Sequence, residues 1–315
     1  MEGVTMKKIR TDGFYVKNAN PYLKLMGHIM PHRYDAQNFA TLQIRCDAID
    51  EFISQQSKLG NNYNFVDIVL AGLVRTLAMR PHLNRFVKNR RIYQHNDIAI
   101  AFVVKKALTD EGDETTVKVH FTGHETIAEI REKVHAEVAK CTASQDNETD
   151  QFTKMLSSAP HWFMRLAVWF FNWMDNHNLL SKNLVELSPF HNSAFVTFLR
   201  SIKGPAINHH CYDFGTTGLF LAVGKERVEP IVECGKLTTA RVMELGITMD
   251  DRVCDGMYYV NSMRIIQNLF NNPSVLLESY DVTQSKDYVE PPLTRKQKRS
   301  KRRQQRAQYK SNKHS

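Results

Sequence analysis

Apolar residues recur along the first part of the chain with two different periods, which predict a strand and then a helix. Segment 40–49 reads ATLQIRCDAI and places Leu42, Ile44 and Cys46 on one face, as a half-buried strand does. Segment 65–81 instead repeats its apolar residues at helical spacing, and its final proline closes the helix. A helix is therefore expected to follow a strand here.

The middle of the chain predicts two more strands and a capped helix. Segment 96–106 is a run rich in β-branched residues, and segment 115–123 alternates apolar and polar residues, so both are expected to be strands. Thr126 and Glu129 then form the spacing of a capping box in front of an apolar stripe. This pattern predicts that a helix begins there.

Four short apolar segments predict four strands in the last third of the chain, and a helix follows them. The strand candidates are segments 193–202, 217–225, 228–237 and 238–252, with turn residues between them. An amphipathic helix is expected after Asp255, ending before Pro273. The sequence contains neither GxGxxG nor GxxxxGK[ST], which argues against a nucleotide-phosphate loop.

The most hydrophobic stretch is segment 162–174, which reads WFMRLAVWFFNWM. Its 13 residues are interrupted by Arg165 and Asn172 and fall short of the ~20 that a membrane span needs. We expect no transmembrane segment. The stretch predicts a buried or oligomer-facing helix, with an interfacial membrane helix as the alternative.

The positive charge is concentrated at the C-terminal end. The chain carries a formal charge of +9, while residues 295–315 contain ten Lys or Arg and no acidic residue, so the remainder is close to neutral. We therefore expect one globular domain over residues 1–290 and a disordered basic tail over 291–315. Residues 295–315 could bind a polyanion, either nucleic acid or anionic lipid; the alternative is a solvated tail with weak polyanion affinity.

The cysteines indicate a reducing compartment and no metal site. The chain has five cysteines, an odd number, and none of them form a CxxC pair. This usage argues against a disulfide framework and against a zinc centre, so no metal is expected. The N-terminal residues lack the apolar core of a signal peptide, and we expect a cytoplasmic protein.

Segment 250–256 reads DDRVCDG and lies between a predicted strand and a predicted helix. It resembles the end of the catalytic domain of dihydrolipoyl acyltransferases of 2-oxo acid dehydrogenase complexes, and it is similar to chloramphenicol acetyltransferases. The family pattern runs strand, His, three residues, Asp, Gly and helix. Asp255 and Gly256 match this pattern, whereas Asp251 stands where the family has histidine.

Three upstream segments support the resemblance, which covers roughly residues 25–280. Segment 65–104 looks like the family's helix, its HPxLN-type turn and the paired strands after it. Segment 195–202, FVTFLRSI, looks like the strand that supplies an active-site hydroxyl, with Thr197 at the position of the usual serine. Segment 217–232 is similar to the core strand and hairpin that lead to the histidine motif.

The resemblance implies an α/β fold: a two-layer sandwich with a mostly antiparallel sheet, like that of chloramphenicol acetyltransferase. It implies a homotrimer with active sites at subunit interfaces, and CoA or acyl-CoA as substrate. In the family, histidine is the general base, the hydroxyl at position 197 stabilises the oxyanion, and Asp255 is a structural residue that pairs with an arginine. Lipoyl domains and Pro/Ala-rich linkers would precede the catalytic domain of a dehydrogenase-complex subunit, and this chain shows neither, so a stand-alone transferase or a derived relative is expected.

The aspartate at position 251 leaves two interpretations open. A free carboxylate has a pKa ~2.6 units below that of imidazole, which removes roughly 3.5 kcal/mol of driving force for taking a proton. Burial can raise the pKa of Asp251, but strand alternation points Asp250 to the opposite face. The chain is either an acyltransferase with altered or reduced catalysis, or an inactive scaffold or binding protein with a polyanion-binding tail.

Two adjacent histidines offer a possible substitute base. His209 and His210 belong to segment 207–215, which by resemblance leads into the strand near the substrate channel. The alternative is that both are ordinary loop residues. Cys254, inside the motif, is expected to be a small apolar filler.

Overall fold

The computed structural model describes residues 10–105, 114–143 and 158–292. Residues 293–315 lie outside this range, so the prediction of a disordered basic tail remains a prediction. Within the described residues, no helix is both long enough and apolar enough to cross a membrane.

Nine strands and seven helices form the described architecture. The strands are β1 (Gly13–Tyr15), β2 (Gln37–Arg45), β3 (Arg85–Lys88), β4 (Arg91–His95), β5 (Ile98–Lys105), β6 (Glu114–Phe121), β7 (Ala194–Phe198), β8 (Leu219–Glu233) and β9 (Lys236–Asp250). The helices are α1 (Pro21–Ile29), α2 (Asp47–Lys58), α3 (Phe65–Met79), α4 (Ile127–Ala143), α5 (His161–Asn176), α6 (Lys182–Leu187) and α7 (Gly256–Asn271). A 3-10 turn, Pro81–Asn84, joins α3 to β3.

A six-stranded sheet forms the centre of the fold, with strand order β2-β9-β8-β7-β5-β6. Strand β7 runs parallel to both of its neighbours, and the other three pairings are antiparallel. A small antiparallel sheet, β1-β4-β3, is formed by short strands before and after α3. The expected α/β fold with a mostly antiparallel sheet is confirmed.

Helices pack on one face of the six-stranded sheet. Alternate residues of β9, among them Met243, Leu245 and Ile247, belong to a buried core that includes most of α3 and the inner face of α7. Helices α3 and α7 approach closely at Gly72, where a Cβ atom would lie 2.7 Å from the ring of Phe270. A side chain at position 72 would therefore displace the ring of Phe270.

The last third of the chain contains three strands, and the prediction of four was wrong. Predicted segments 217–225 and 228–237 share one strand, because β8 continues to Glu233 through an irregularity between Val223 and Glu226, and the turn to β9 falls at Cys234 and Gly235. Pro230 does not end the strand. It pairs with Thr239 on one side of the hairpin only, and proline is tolerated at such an edge.

The Trp-rich stretch forms α5, but the prediction of a buried helix was wrong for the single chain. Trp162 is 68% exposed and Trp169 is 61% exposed. The oligomer-facing and interfacial alternatives both remain compatible with this exposure.

Candidate functional site

A loop crosses the sheet face opposite the helices and brings the candidate site together. The backbone at Gly204 accepts a hydrogen bond from the amide of Lys225, at 2.8 Å. A Cβ atom at Gly224 would lie 2.5 Å from the amide nitrogen of Ala206, and one at Gly246 would lie 3.1 Å from the carbonyl oxygen of Ile207. These two glycines let the loop lie flat against β8 and β9.

The loop places His209 against Thr197. Thr197 lies on β7, and its Oγ1 is 3.2 Å from Nε2 of His209. The imidazole also stacks on Phe220, with 4.4 Å between ring centroids. A hydroxyl and a candidate base therefore meet within hydrogen-bond distance, which is the geometry that proton transfer requires.

The surroundings of His209 favour its neutral form. Burial lowers the pKa of this imidazole below its ordinary value, and the charge of His210 adds to the effect. A neutral imidazole can accept a proton near neutral pH, whereas an imidazolium cannot. The environment therefore suits a general base.

His210 takes a different position from its neighbour. Its side chain is exposed, and its Nδ1 lies 3.2 Å from Nε2 of Gln37 on β2. The backbone amide of Cys211 donates to Oε1 of the same glutamine at 3.1 Å. Of the two predicted histidines, His209 is therefore the one that contacts the predicted hydroxyl.

Asp251 lies just past the end of β9, in a half-buried position. Its Oδ1 accepts a hydrogen bond from Nδ2 of Asn38 at 2.6 Å, and its amide donates to the carbonyl of Ala36 at 2.7 Å. Burial raises the pKa of Asp251, the hydrogen bond from Asn38 opposes that rise, and the nearby charge of Asp250 adds to it. The pKa of this carboxyl is therefore raised, while its Oδ1 is engaged by Asn38.

The buried ion pairs of the motif involve Asp250 rather than Asp255. Arg252 donates to Asp250 from Nε at 2.8 Å and from Nη2 at 2.7 Å, and Arg33 donates from Nε at 3.3 Å. Asp255 is exposed, and its Oδ1 accepts from the amide of Tyr258 at 2.8 Å as the N-cap of α7. The structural role of Asp255 is therefore to cap a helix. Among the described residues, the arginine pairing that was expected for Asp255 is made by Asp250 instead.

Thr197 and Asp251 do not meet within one chain. In the sheet register, Thr197 pairs with Ala222 on β8, and Ala222 pairs with Gly246 on β9. Asp251 lies five residues beyond Gly246. Two strand spacings and five residues correspond to ~10 Å across and ~16 Å along the sheet. A single site that used both residues would need two subunits.

A cavity of about 470 Å³ opens beside the C-terminal end of β7, next to Phe198 and the first residues of α3. Its wall includes Lys203 and Lys225, which are exposed, and Arg200, whose guanidinium pairs with Glu226 at 2.6 Å. The excess of cations suits an anionic ligand such as a phosphate.

Cys254 is a buried filler, as predicted. Its side chain is almost completely inaccessible, and burial raises the pKa of the thiol to about 12. Because the thiolate is the reactive form, this cysteine is unsuited to nucleophilic chemistry.

Sequence reasoning missed the residues that hold the predicted ones in place. Asn38, Gln37 and Arg33 come from β2 and the turn before it, more than 170 residues from their partners. Glycines at 224 and 246, inside otherwise apolar strands, were the available signal, because such a glycine often marks a close backbone approach.

Comparison with known proteins gives one family match and several structural likenesses. Residues 218–278 match the family model for the 2-oxoacid dehydrogenases acyltransferase (catalytic domain). The chain is similar to the dihydrolipoyllysine-residue acetyltransferase component of the pyruvate dehydrogenase complex from Staphylococcus aureus, with 36% identity over 73 residues. That alignment covers 23% of this chain and 16% of the relative, and the Staphylococcus epidermidis protein gives the same figures.

Two solved structures share the fold over most of the chain. The cubic core of the pyruvate dehydrogenase multienzyme complex superimposes with a TM-score of 0.52 at 14% identity, covering 88% of this chain and 94% of that one. The truncated catalytic core of the 2-oxoacid dehydrogenase multienzyme complex from Thermoplasma acidophilum gives 0.51 at 10% identity, covering 82% and 98%. These likenesses confirm the fold inferred from the sequence.

Proposed function

We propose that this chain, which resembles the 2-oxo acid dehydrogenase acyltransferase catalytic domain, transfers an acyl group between CoA and an acceptor. The observation that carries the proposal is the 3.2 Å contact between Thr197 Oγ1 and His209 Nε2. It joins the family's hydroxyl position to an imidazole from a neighbouring loop. His209 then replaces the general base that Asp251 does not supply, so that catalysis is altered relative to the family.

The reaction follows from these two groups. Neutral His209 takes the proton of an acceptor hydroxyl or thiol, and the acceptor attacks the thioester carbonyl of acyl-CoA. Protonation of Nε2 releases the hydroxyl of Thr197 from His209, and this hydroxyl then donates a hydrogen bond to the oxyanion formed from the carbonyl oxygen. The adduct collapses, the carbon–sulfur bond breaks, and the thiolate of CoA takes the proton back from the imidazolium.

The cavity beside β7 is a suitable place for the CoA phosphates. Lys203 and Lys225 line it, and both side chains are exposed. Ammonium groups bind phosphate as point charges, so these two lysines are expected to add affinity without fixing one orientation. Thr197 faces the other side of β7, so the thioester end would pass the C-terminal end of this strand to reach it.

Calorimetric titration and a thiol-release assay test the proposal together. The protein is titrated with CoA and short acyl-CoAs, and CoA release is followed with a panel of hydroxyl and thiol acceptors. We expect micromolar binding, and turnover that falls ~10²–10³-fold in Thr197→Ala and is largely kept in Thr197→Ser. Equal turnover of the alanine variant would remove the oxyanion role, and folded protein that binds no CoA would contradict the proposal.

A catalytically inactive scaffold or binding protein is the second candidate function. It is favoured by the hydrogen bond from Asn38 to Asp251, which engages the carboxylate where the family has its base. Turnover of acyl-CoA by the native chain and by the variant Asp251→His separates the two candidates. Under the scaffold interpretation neither the native chain nor this variant turns over acyl-CoA, whereas turnover by the native chain contradicts it.

We propose that the chain forms a homotrimer. The outer part of the β8–β9 hairpin supports this, because it exposes Val228, Val232 and Leu237 at 70–78%. Contiguous exposed apolar side chains are typical of surfaces that contact other molecules. Sedimentation equilibrium is expected to give three times the 36.4 kDa chain mass, and a monomer at all concentrations would contradict it.

A further inference from the structure

Helix α5 exposes a broad arc of large apolar side chains to solvent. At about 100° per residue, six of these side chains fall within an arc of about 120°. Each is at least 40% exposed; they are Trp162, Phe163, Leu166, Trp169, Phe170 and Trp173. We call this set the aromatic arc. The chain has three tryptophans, and all of them lie in the arc.

The opposite side of α5 is fixed to the protein by a buried ion cluster. Asp175 accepts a hydrogen bond from Arg10 at 2.5 Å, pairs with Lys88 at 2.8 Å, and lies 3.4 Å from Nε2 of His191. Burial alone would raise the pKa of Asp175, but the neighbouring His191 and the two cations hold it well below its usual range. The helix therefore cannot hide its aromatic arc by rolling without breaking buried charge pairs.

A stripe of polar residues runs along α5 between the aromatic arc and the side that carries Asp175. His161, Arg165, Asn172 and Asn176 follow one another along it at helical spacing, and Arg165 is exposed. The one acidic residue of α5 is Asp175, which is buried in the ion cluster. The exposed surface of the helix thus combines tryptophans with a cation and carries no carboxylate.

The neighbouring helix α1 also exposes apolar side chains. The turn at Asn89 and Arg90 contacts both α5, through the carbonyl of Asn176, and α1, at Gly27. Helix α1 exposes Leu25 and Ile29 at 53% and 60%. Residues 295–315 supply ten further cations on the same chain and no acidic residue.

We propose that the aromatic arc of α5 docks on the surface of an anionic lipid bilayer. Tryptophan suits the boundary between headgroups and acyl chains, because one end of its ring is apolar and the other donates a hydrogen bond. A helix that does not span the bilayer, with aromatic residues on one face and a cation on the next, lies in the interface plane. The ten cations of residues 295–315 complement the negative charge of the lipid headgroups.

Tryptophan fluorescence reports directly on this docking, since the arc contains every tryptophan of the chain. The full chain is titrated with vesicles of 30% phosphatidylglycerol in phosphatidylcholine, and separately with pure phosphatidylcholine. With the anionic vesicles we expect co-sedimentation, a blue shift of the emission and quenching by brominated acyl chains. With the neutral vesicles we expect binding at least tenfold weaker.

Matched variants separate docking from general surface hydrophobicity. The double variant Leu166→Ser, Phe170→Ser removes two apolar members of the arc, keeps all three tryptophans, and is expected to weaken vesicle binding at least tenfold. The double variant Leu59→Ser, Val260→Ser changes two exposed apolar residues on other elements and is expected to bind like the native chain. Circular dichroism confirms that both remain folded.

Three results would overturn the proposal. The first is no binding to anionic vesicles. The second is binding with unchanged tryptophan emission, which would assign it to the basic C-terminal residues alone. The third is a smaller oligomer for the arc variant without lipid, which would show that another copy of the chain covers the arc.

Discussion

The Thr197 and Asp251 regions lie on one sheet, yet they hold their polar groups in different ways. At Thr197, a hydroxyl meets an imidazole whose pKa is lowered by burial. At the end of β9, Asp251 is engaged by Asn38, and Asp250 is enclosed by the guanidinium groups of Arg33 and Arg252.

The difference separates stability from reactivity. A buried carboxylate between two guanidinium groups keeps its charge at any ordinary pH and fixes the structure around it. A neutral imidazole against a hydroxyl can gain and lose a proton near neutral pH. The first arrangement suits an ion-pair cluster that stabilises the fold, and the second suits a catalytic site. Each of the following experiments tests that distinction.

Replacing His209 is expected to have the largest effect. His209→Gln keeps a polar side chain but removes the base, so we expect kcat/KM for acyl transfer to fall ~10²–10⁴-fold. His210→Gln is the matched control, because that imidazole is exposed and contacts Gln37 instead. Equal losses in the two variants would remove the distinction between the histidines.

Removing Asp250 is expected to destabilise the fold strongly. Asp250→Ala leaves Arg33 and Arg252 buried without their carboxylate, at a cost of ~3–5 kcal/mol in the free energy of unfolding. Urea denaturation measures the change. A loss below ~1 kcal/mol in the free energy of unfolding would show that this ion-pair cluster contributes little to stability.

Adding a methyl group at Gly224 is expected to displace the loop that carries His209. A Cβ atom there would lie 2.5 Å from the amide nitrogen of Ala206, so Gly224→Ala should cost roughly 1–3 kcal/mol of stability and also lower turnover. Gly256→Ala is the control, because nothing lies within 4 Å of its added Cβ. Unchanged turnover in Gly224→Ala would show that the loop position does not matter.

The pH profile of turnover is expected to follow His209. Burial lowers the pKa of this imidazole, and the base must be unprotonated, so kcat/KM should fall as the pH drops through a value below the ordinary ~6.5. The loss is about tenfold for each further pH unit. This acid limb should disappear in His209→Gln, and its persistence there would point to another group.

Neutralising Asp251 is expected to change turnover least. Asp251→Asn keeps the size of the side chain and removes its charge, so under the His209 mechanism kcat/KM should stay within about a factor of two, or ~0.5 kcal/mol. A loss of a hundredfold or more would return the role of base to Asp251.

Local pattern predicted most of the fold, because the elements around the site carry strong periodicity. The capping box at Thr126 begins α4 as expected, with the amide of Thr126 donating to Glu129 at 2.8 Å. Two polar residues, Glu226 and Arg227, separate the predicted segments 217–225 and 228–237, whereas the structure has a single strand β8 from Leu219 to Glu233. A long antiparallel partner overrode them, and sequence periodicity does not report such partners.

The candidate site was predicted residue by residue, but its geometry was not. Thr197 and His209 were both singled out, yet their contact depends on a loop crossing two strands, and no local pattern encodes that path. An arginine was expected to pair with Asp255, but Arg33 and Arg252 pair with Asp250 instead. The adjacent aspartates have the same chemistry in sequence and differ in burial, which packing alone decides.

The pairing of Thr197 with His209 determines how activity per chain should depend on protein concentration. The two residues are twelve positions apart on the same chain, so separating the subunits does not separate them. A site that combined Thr197 with residue 251 of a second copy would lose activity as the protein is diluted. A site built on Thr197 and His209 would instead keep constant activity per chain across the dissociation of the oligomer.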